Sequence, residues 1–193
     1  MVESNPGGGP GGQDPGHVHG KGCGCAEQHK NTDKFGIDLF DHVDMDAVDC
    51  FNEKHTGKIR TVIRSLEDKL AFDENREMET ESDYGPELVV FIPFKGEMRI
   101  KAICVIGEGG GQAPSSVKLY RNVDSVDCDI IEDRKEVQKL DLSENPTGEV
   151  DSHVNASKFN NVHNIVLGFD KNFGAPTTKI RFIGIKGEMI RTN

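Results

Sequence analysis

The chain has 193 residues, 35% hydrophobic and 29% charged, with a formal net charge of −10. That length holds one domain or two, and the mixture is too apolar for a wholly disordered chain. No block of Lys or Arg supplies the basic footprint that nucleic acid or an anionic membrane requires. The longest apolar runs, Leu88–Ile92 and Ile103–Ile106, fall far short of a membrane span.

Residues 1–34 differ in composition from the rest. Nine of the 22 glycines and three of the eight prolines lie within the first 24 residues. Such a stretch has no apolar surface to offset its ordering entropy, so a disordered tail is predicted, followed by a folded domain over 35–193. The tail carries no apolar signal region. The five cysteines, Cys23, Cys25, Cys50, Cys104 and Cys128, are odd in number. Both features predict a reducing compartment, the cytoplasm with access to the nucleus. The sequon Asn155-Ala156-Ser157 is then expected to stay unglycosylated.

Within the tail, Cys23-Gly24-Cys25 has the wrong spacing and setting for a redox pair, which needs Cys-x-x-Cys at a helix N-terminus. His17, His19, Cys23, Cys25 and His29 are borderline or soft ligands and could hold zinc or copper weakly. Structural zinc sites usually space their cysteines more widely, so no resident metal or cofactor is expected.

Between Phe35 and Glu87 there are 15 Asp/Glu against 6 Lys/Arg. This excess is either a solvated face or an acidic surface that selects a basic partner. Ile59, Val62, Ile63, Leu66 and Leu70 fall at helical spacing and predict a short amphipathic helix over 57–72, although the β-branched run Thr61-Val62-Ile63 would suit a strand. From Leu88 the pattern becomes β. Leu88–Phe94 reads as a buried strand, Lys95-Gly96 as a turn, and Met98–Ile106 as the returning strand of a hairpin. In that second strand Ile100, Ala102, Cys104 and Ile106 share one face, and Lys101, Ile103 and Val105 the other. Apolar residues on both faces predict a strand covered twice. Cys104 is then a small core residue. Cys50 reads as structural, and Cys128, between Asp127 and Asp129, as a sluggish thiol.

Glu108-Gly109-Gly110-Gly111 lacks the Gly-Lys-Ser/Thr of a phosphate loop and reads as an inter-strand loop. Val117–Tyr120, Val137–Leu142, Val162–Phe169 and Lys179–Ile185 are further strands, and Asn145-Pro146-Thr147-Gly148 is a turn. On Val162–Phe169 the alternation assigns His163, Ile165, Leu167 and Phe169 to one face. Short strands joined by Gly/Pro/Asn loops predict an all-β sandwich or jelly roll. No Gly-x-Ser-x-Gly elbow or other catalytic constellation appears, so no enzymatic activity is expected.

Four segments in this order carry a resemblance: Cys50-Phe51-Asn52-Glu53; Glu81-Ser82-Asp83 before Glu87–Phe94; Val117–Asn122 after the Gly-rich loop; and Lys171–Lys179 leading into Phe182–Glu188. Together they resemble the PITH domain, the proteasome-interacting domain of thioredoxin-like proteins. Its stand-alone members also begin with a His/Gly-rich tail carrying Cys-x-Cys. The resemblance spans about residues 35–188. It implies a galactose-binding-like β-sandwich jelly roll, no catalysis, and association of a monomer with the proteasome regulatory particle or another protein. It also implies an irregular course over 57–72, and in relatives a further strand and polar tail beyond Gly187-Glu188. The loop Asp170–Thr178 is the expected contact, through Asp170, Lys171, Asn172, Phe173, Gly174, Thr177 and Thr178. The rival expectation is a sandwich that binds a small ligand or metal. The absence of Trp and the presence of only Tyr84 and Tyr120 count against a sugar, which leans on aromatic platforms.

Overall fold

A single strand of 20 residues organises the molecule. The computed structural model describes residues 34–192; the predicted tail, with His17, His19, Cys23, Cys25 and His29, lies outside them. In chain order the strands are β1 (Ile37–Asp38), β2 (Asp49–Phe51), β3 (Met78–Glu79), β4 (Leu88–Gly107), β5 (Pro114–Arg121), β6 (Gln138–Asp141), β7 (Ser152–His153), β8 (Val162–Asn172) and β9 (Lys179–Thr192). Two one-turn helices accompany them, α1 (Ile59–Val62) and α2 (Ile130–Asp133). The strands pair antiparallel in the order β1-β9-β4-β8-β5-β6, with β2 and β7 also on β4 and β3 on β9.

β4 belongs to both layers of the sandwich. Its first part, Leu88–Pro93, lies between β8 and β2, and its second, Gly96–Gly107, pairs with β9 and touches β7. The expected hairpin is therefore absent, and Lys95-Gly96 is not a reversal. The strand passes from one layer to the other where the register shifts between Pro93 and Met98, as strands at sandwich corners do. Each half already has its own partners, so folding back would leave both unpaired.

The main core fills the space between the layers. Leu88, Val90, Ile92, Ile100, Ile103 and Val105 of β4 meet Ile165, Leu167 and Phe169 of β8 and Ile183 of β9 there. The outer face of β4, β5 and β8 is covered at Val89, Tyr120 and Val166 by Ile130 and Ile131 of α2. On the outer face of the other layer Cys104, Ile106 and Phe182 lie beneath Leu66 and Phe72. The double cover expected for Met98–Ile106 is present, but its faces are reassigned. A bulge between Ile100 and Ala102 shifts the register against β9. Because the side-chain period is two, that one residue moves Ile100 to the face of Ile103 and Val105. On β8, Ile165, Leu167 and Phe169 face the main core, whereas His163 is exposed.

The predicted helix over 57–72 is a correction. Only Ile59–Val62 is helical; Leu66–Asp68 is a separate 3-10 turn, and Ile63 is extended and bridges Ile183 in parallel. Ile59, Val62 and Ile63 are buried while Leu70 is exposed, so the stripe ends after one turn. Of the β-branched run, Thr61 and Val62 close the helix and Ile63 alone takes the extended form. The last strand runs on from Ile185 to Thr192, and no helix among the described residues is long and apolar enough to cross a membrane.

Candidate functional site

At one end of the sandwich, three connections meet: Ser82–Glu87 before β4, Glu108–Ala113 between β4 and β5, and Phe173–Thr178 between β8 and β9. The last begins from a carboxylate on β8. Asp170, with its side chain 9% exposed, accepts from the Ser116 hydroxyl and from Lys139 Nζ at 2.8 Å. Burial alone would raise its pKa; the bonds from Lys139 and Ser116 outweigh it and hold the carboxyl below its ordinary value.

Asn172 then folds the loop on itself. Its Nδ2 donates to the carbonyls of Ala175 and Thr177, each at 2.9 Å, and its Oδ1 accepts from Gly174 N–H at 2.9 Å. Gly174 sits at φ +113, where a side chain would be strained. Thr177 Oγ donates to Glu79 (2.9 Å), and Thr178 Oγ donates to the Pro86 carbonyl (2.7 Å). Four of the seven expected contact residues, Asp170, Asn172, Thr177 and Thr178, therefore spend their side chains inward. Lys171, Phe173 and Gly174 are exposed, with Phe173 44% accessible. The loop is a braced support that presents an aromatic ring and a cation.

The segment ahead of β4 is braced as well. Asn52 adopts φ +75 and sends its Nδ2 to the carbonyls of Gly85 and Glu87; its buried Oδ1 has no hydrogen-bond partner among the described residues. Glu53 accepts from Gly57 N–H and, at 2.9 Å, from Ile59 N–H, capping α1. The Cys50-Phe51-Asn52-Glu53 tetrad is thus a fastener, with Cys50 half-buried behind it.

Beside this fastener lies a groove of about 370 Å³, floored by Leu88 and Val89 and walled by Phe51, Tyr84 and Ile131. Sequence reasoning missed it. Its signal was divided between Tyr84, which follows the Glu81-Ser82-Asp83 motif, and the Asp127-Cys128-Asp129 stretch, which had been read only for its thiol. Tyr84 is 77% exposed.

The three thiols among the described residues are raised above their ordinary value, which disfavours nucleophilic work. Burial, then the charges of Glu53 and Asp49, pushes Cys50 well up. Burial, then Asp151, pushes the fully buried Cys104 up to about 11. Exposed Cys128 is raised by its hydrogen bond to Asp129 and then by that carboxylate's charge. Among the described residues no three His, Cys, Asp or Glu are grouped so as to hold a metal ion. A second cleft of about 320 Å³ mixes Lys54, Lys58 and Lys179 with Glu74, Glu77 and Glu79. Its charges are largely paired, Lys179 with Glu77 at 2.9 Å and Lys54 with Glu79 at 4.0 Å.

Residues 29–193 match the family model of the PITH domain. PITH domain-containing protein 1 of Mus musculus and that of Homo sapiens are each 35% identical to this chain over 177 residues, spanning 90% of it and 82% of the relative. The Dictyostelium discoideum protein of the same name is 35% identical over 162 residues, 84% of this chain and 78% of that one. Among solved structures, the CBM32-1 and CBM32-2 domains of Clostridium perfringens ZmpB in complex with GalNAc superpose with a TM-score of 0.52 at 11% identity. The match covers 77% of this chain and 35% of that one. At that identity the likeness is one of fold, the galactose-binding-like jelly roll.

Proposed function

The chain belongs to the PITH domain family, and from that premise we propose that it is a non-catalytic protein-interaction module whose partner is the proteasome regulatory particle, met in the cytoplasm and nucleus. The observation that carries the reading is the loop after β8. Asp170, Asn172, Thr177 and Thr178 are consumed in holding it, and the aromatic ring of Phe173 stands exposed on a support that does not need it. A rigid loop presenting an aromatic residue from a sandwich suits recognition of a protein surface. Among the described residues the three thiols are raised and the charges of the mixed cleft are largely paired, which supports a binding role over a catalytic one.

Retention of purified regulatory particle on the immobilised chain tests this. Phe173→Ser and Lys171→Glu, both exposed, should lower retention several-fold with the melting temperature unchanged. Equal retention by both variants would remove the loop from the contact. Retention of a small sugar or a divalent metal in place of the particle would favour the rival ligand-binding reading.

A further inference from the structure

The groove in front of β4 is apolar at its floor and acidic at its rim. Leu88 and Val89 are almost wholly buried beneath it, and the rings of Phe51 and Tyr84 stand beside Ile131 of α2. The charged side chains lining it are Glu87 and Asp129. Along the chain, the stretches next to these lining residues continue that sign. Glu81, Asp83 and Glu87 occupy one, and Asp124, Asp127, Asp129, Glu132 and Asp133 the other, with no Lys or Arg within either span. None of these eight carboxylates has an ion-pair partner among the described residues. Lys118, which reaches this region, donates its Nζ to the Ile131 carbonyl at 2.9 Å.

Size decides the class of occupant. About 370 Å³ is near the lower end of the roughly 300–1,000 Å³ range of ligand pockets. Tyr84 at the rim is 77% exposed, so a small molecule would lie largely in water. One or two apolar side chains of an extended segment fill such a groove while their neighbours stay outside, opposite the rim. Carboxylates without an ion-pair partner attract a cationic segment as it arrives. The groove also adjoins the loop already described, because Thr178 Oγ donates to the Pro86 carbonyl at 2.7 Å.

We infer that this groove takes a basic-hydrophobic peptide segment of a protein partner: a leucine-like side chain between Phe51, Tyr84 and Ile131, with flanking Lys or Arg against Glu87, Asp129 and the rim carboxylates. The inference rests on the reading of the chain as an interaction module and names the chemistry that module recognises.

The probe is a synthetic peptide, acetyl-Lys-Arg-Leu-Leu-Lys-Arg-amide, titrated into the full chain with amide shifts as the readout. Alanine-for-leucine and glutamate-for-cation peptides are the comparisons. Phe51, Tyr84, Asp129 and Ile131 should shift with the first peptide, and both comparison peptides should bind at least about tenfold more weakly. Tyr84→Ser and Glu87→Lys, both at exposed positions, should each weaken the first peptide several-fold without altering the melting temperature. Absence of these shifts, or binding unchanged by both variants, overturns the inference. So does self-association that Tyr84→Ser abolishes, which would give the groove to a second copy. Regulatory particle retained equally by the wild-type chain and Tyr84→Ser overturns the groove while the module reading stands. If the wild-type chain retains no particle, the module reading falls and the peptide titration alone decides the groove.

Discussion

Asp170 bears stability that depends on its charge. Its carboxyl is held below the ordinary value despite burial, by Lys139 and Ser116. A depressed folded pKa contributes stability that is present above the ordinary carboxylate value and is lost as pH falls through the folded one. The advantage of the wild-type chain over Asp170→Asn should therefore be constant above about pH 5 and shrink below about pH 4. Paired melting curves check this, and a gap independent of pH would contradict it. Cys104 tests the opposite property. Its thiol is wholly buried, receives Asn145 Nδ2 at 3.7 Å and reaches the Gly148 carbonyl at 3.6 Å. Cys104→Asp places a charge in this buried site, against the Gly148 carbonyl, and should cost several kcal/mol, on the order of total stability. Loss of the folded far-UV signal at 25 °C is the expected outcome. At this scale the sequence was informative where chemistry is local. Cys104 was legible as core from its apolar neighbours, and Cys128 as sluggish from its flanking aspartates. Asn172 and Thr178 were legible only as motif members, because the carbonyls they bind are supplied by the chain's path and not by its composition.

At the level of elements, periodicity announced β4, β5, β6, β8 and β9 but not their continuity. A Lys-Gly pair after a Pro has the local signature of a turn. The layer change at Pro93–Gly96 is decided by which strands lie alongside, and those are distant in sequence. The bulge at Ile100–Ala102 escaped for the same reason. The stripe over 57–72 is helical in spacing, yet only α1 forms, because Ile63 gains a bridge to Ile183 that a helix would forfeit. Glu53→Ala removes the acceptor for Gly57 and Ile59 N–H and should cost about 1–2 kcal/mol, the size of a lost helix cap. Urea midpoints measure it. Gly187 faces Ile37 of β1 on one side and Ile100 of β4 on the other. A Cβ there would stand 2.1 Å from the Arg99 carbonyl oxygen. Gly187→Ala should cost about 1–3 kcal/mol or more as β9 is pushed from β4, with increased amide exchange along Lys186–Glu188. An unchanged midpoint would mean that the two strands do not meet so closely.

For the whole molecule, the charge distribution sets how it meets a partner. The acidic excess of residues 35–87 was legible from counting alone, and the sandwich from the succession of short strands and Gly/Pro/Asn loops. The groove was not, since it joins Phe51, Tyr84 and Ile131 from three separate stretches and shows no periodicity of its own. A folded domain with this surface should bind a basic face of its partner by attraction acting over a Debye length of about 8 Å at 0.15 M salt. Exposed charges steer encounter, so salt should act mainly on the association rate. The most direct measurement is the kinetics of purified regulatory particle binding to the immobilised full chain and to residues 35–193 alone, at salt below and above ~0.15 M. Both should bind with similar dissociation rates, and association should slow as salt rises. Binding that requires residues 1–34, or that is indifferent to salt, would contradict this.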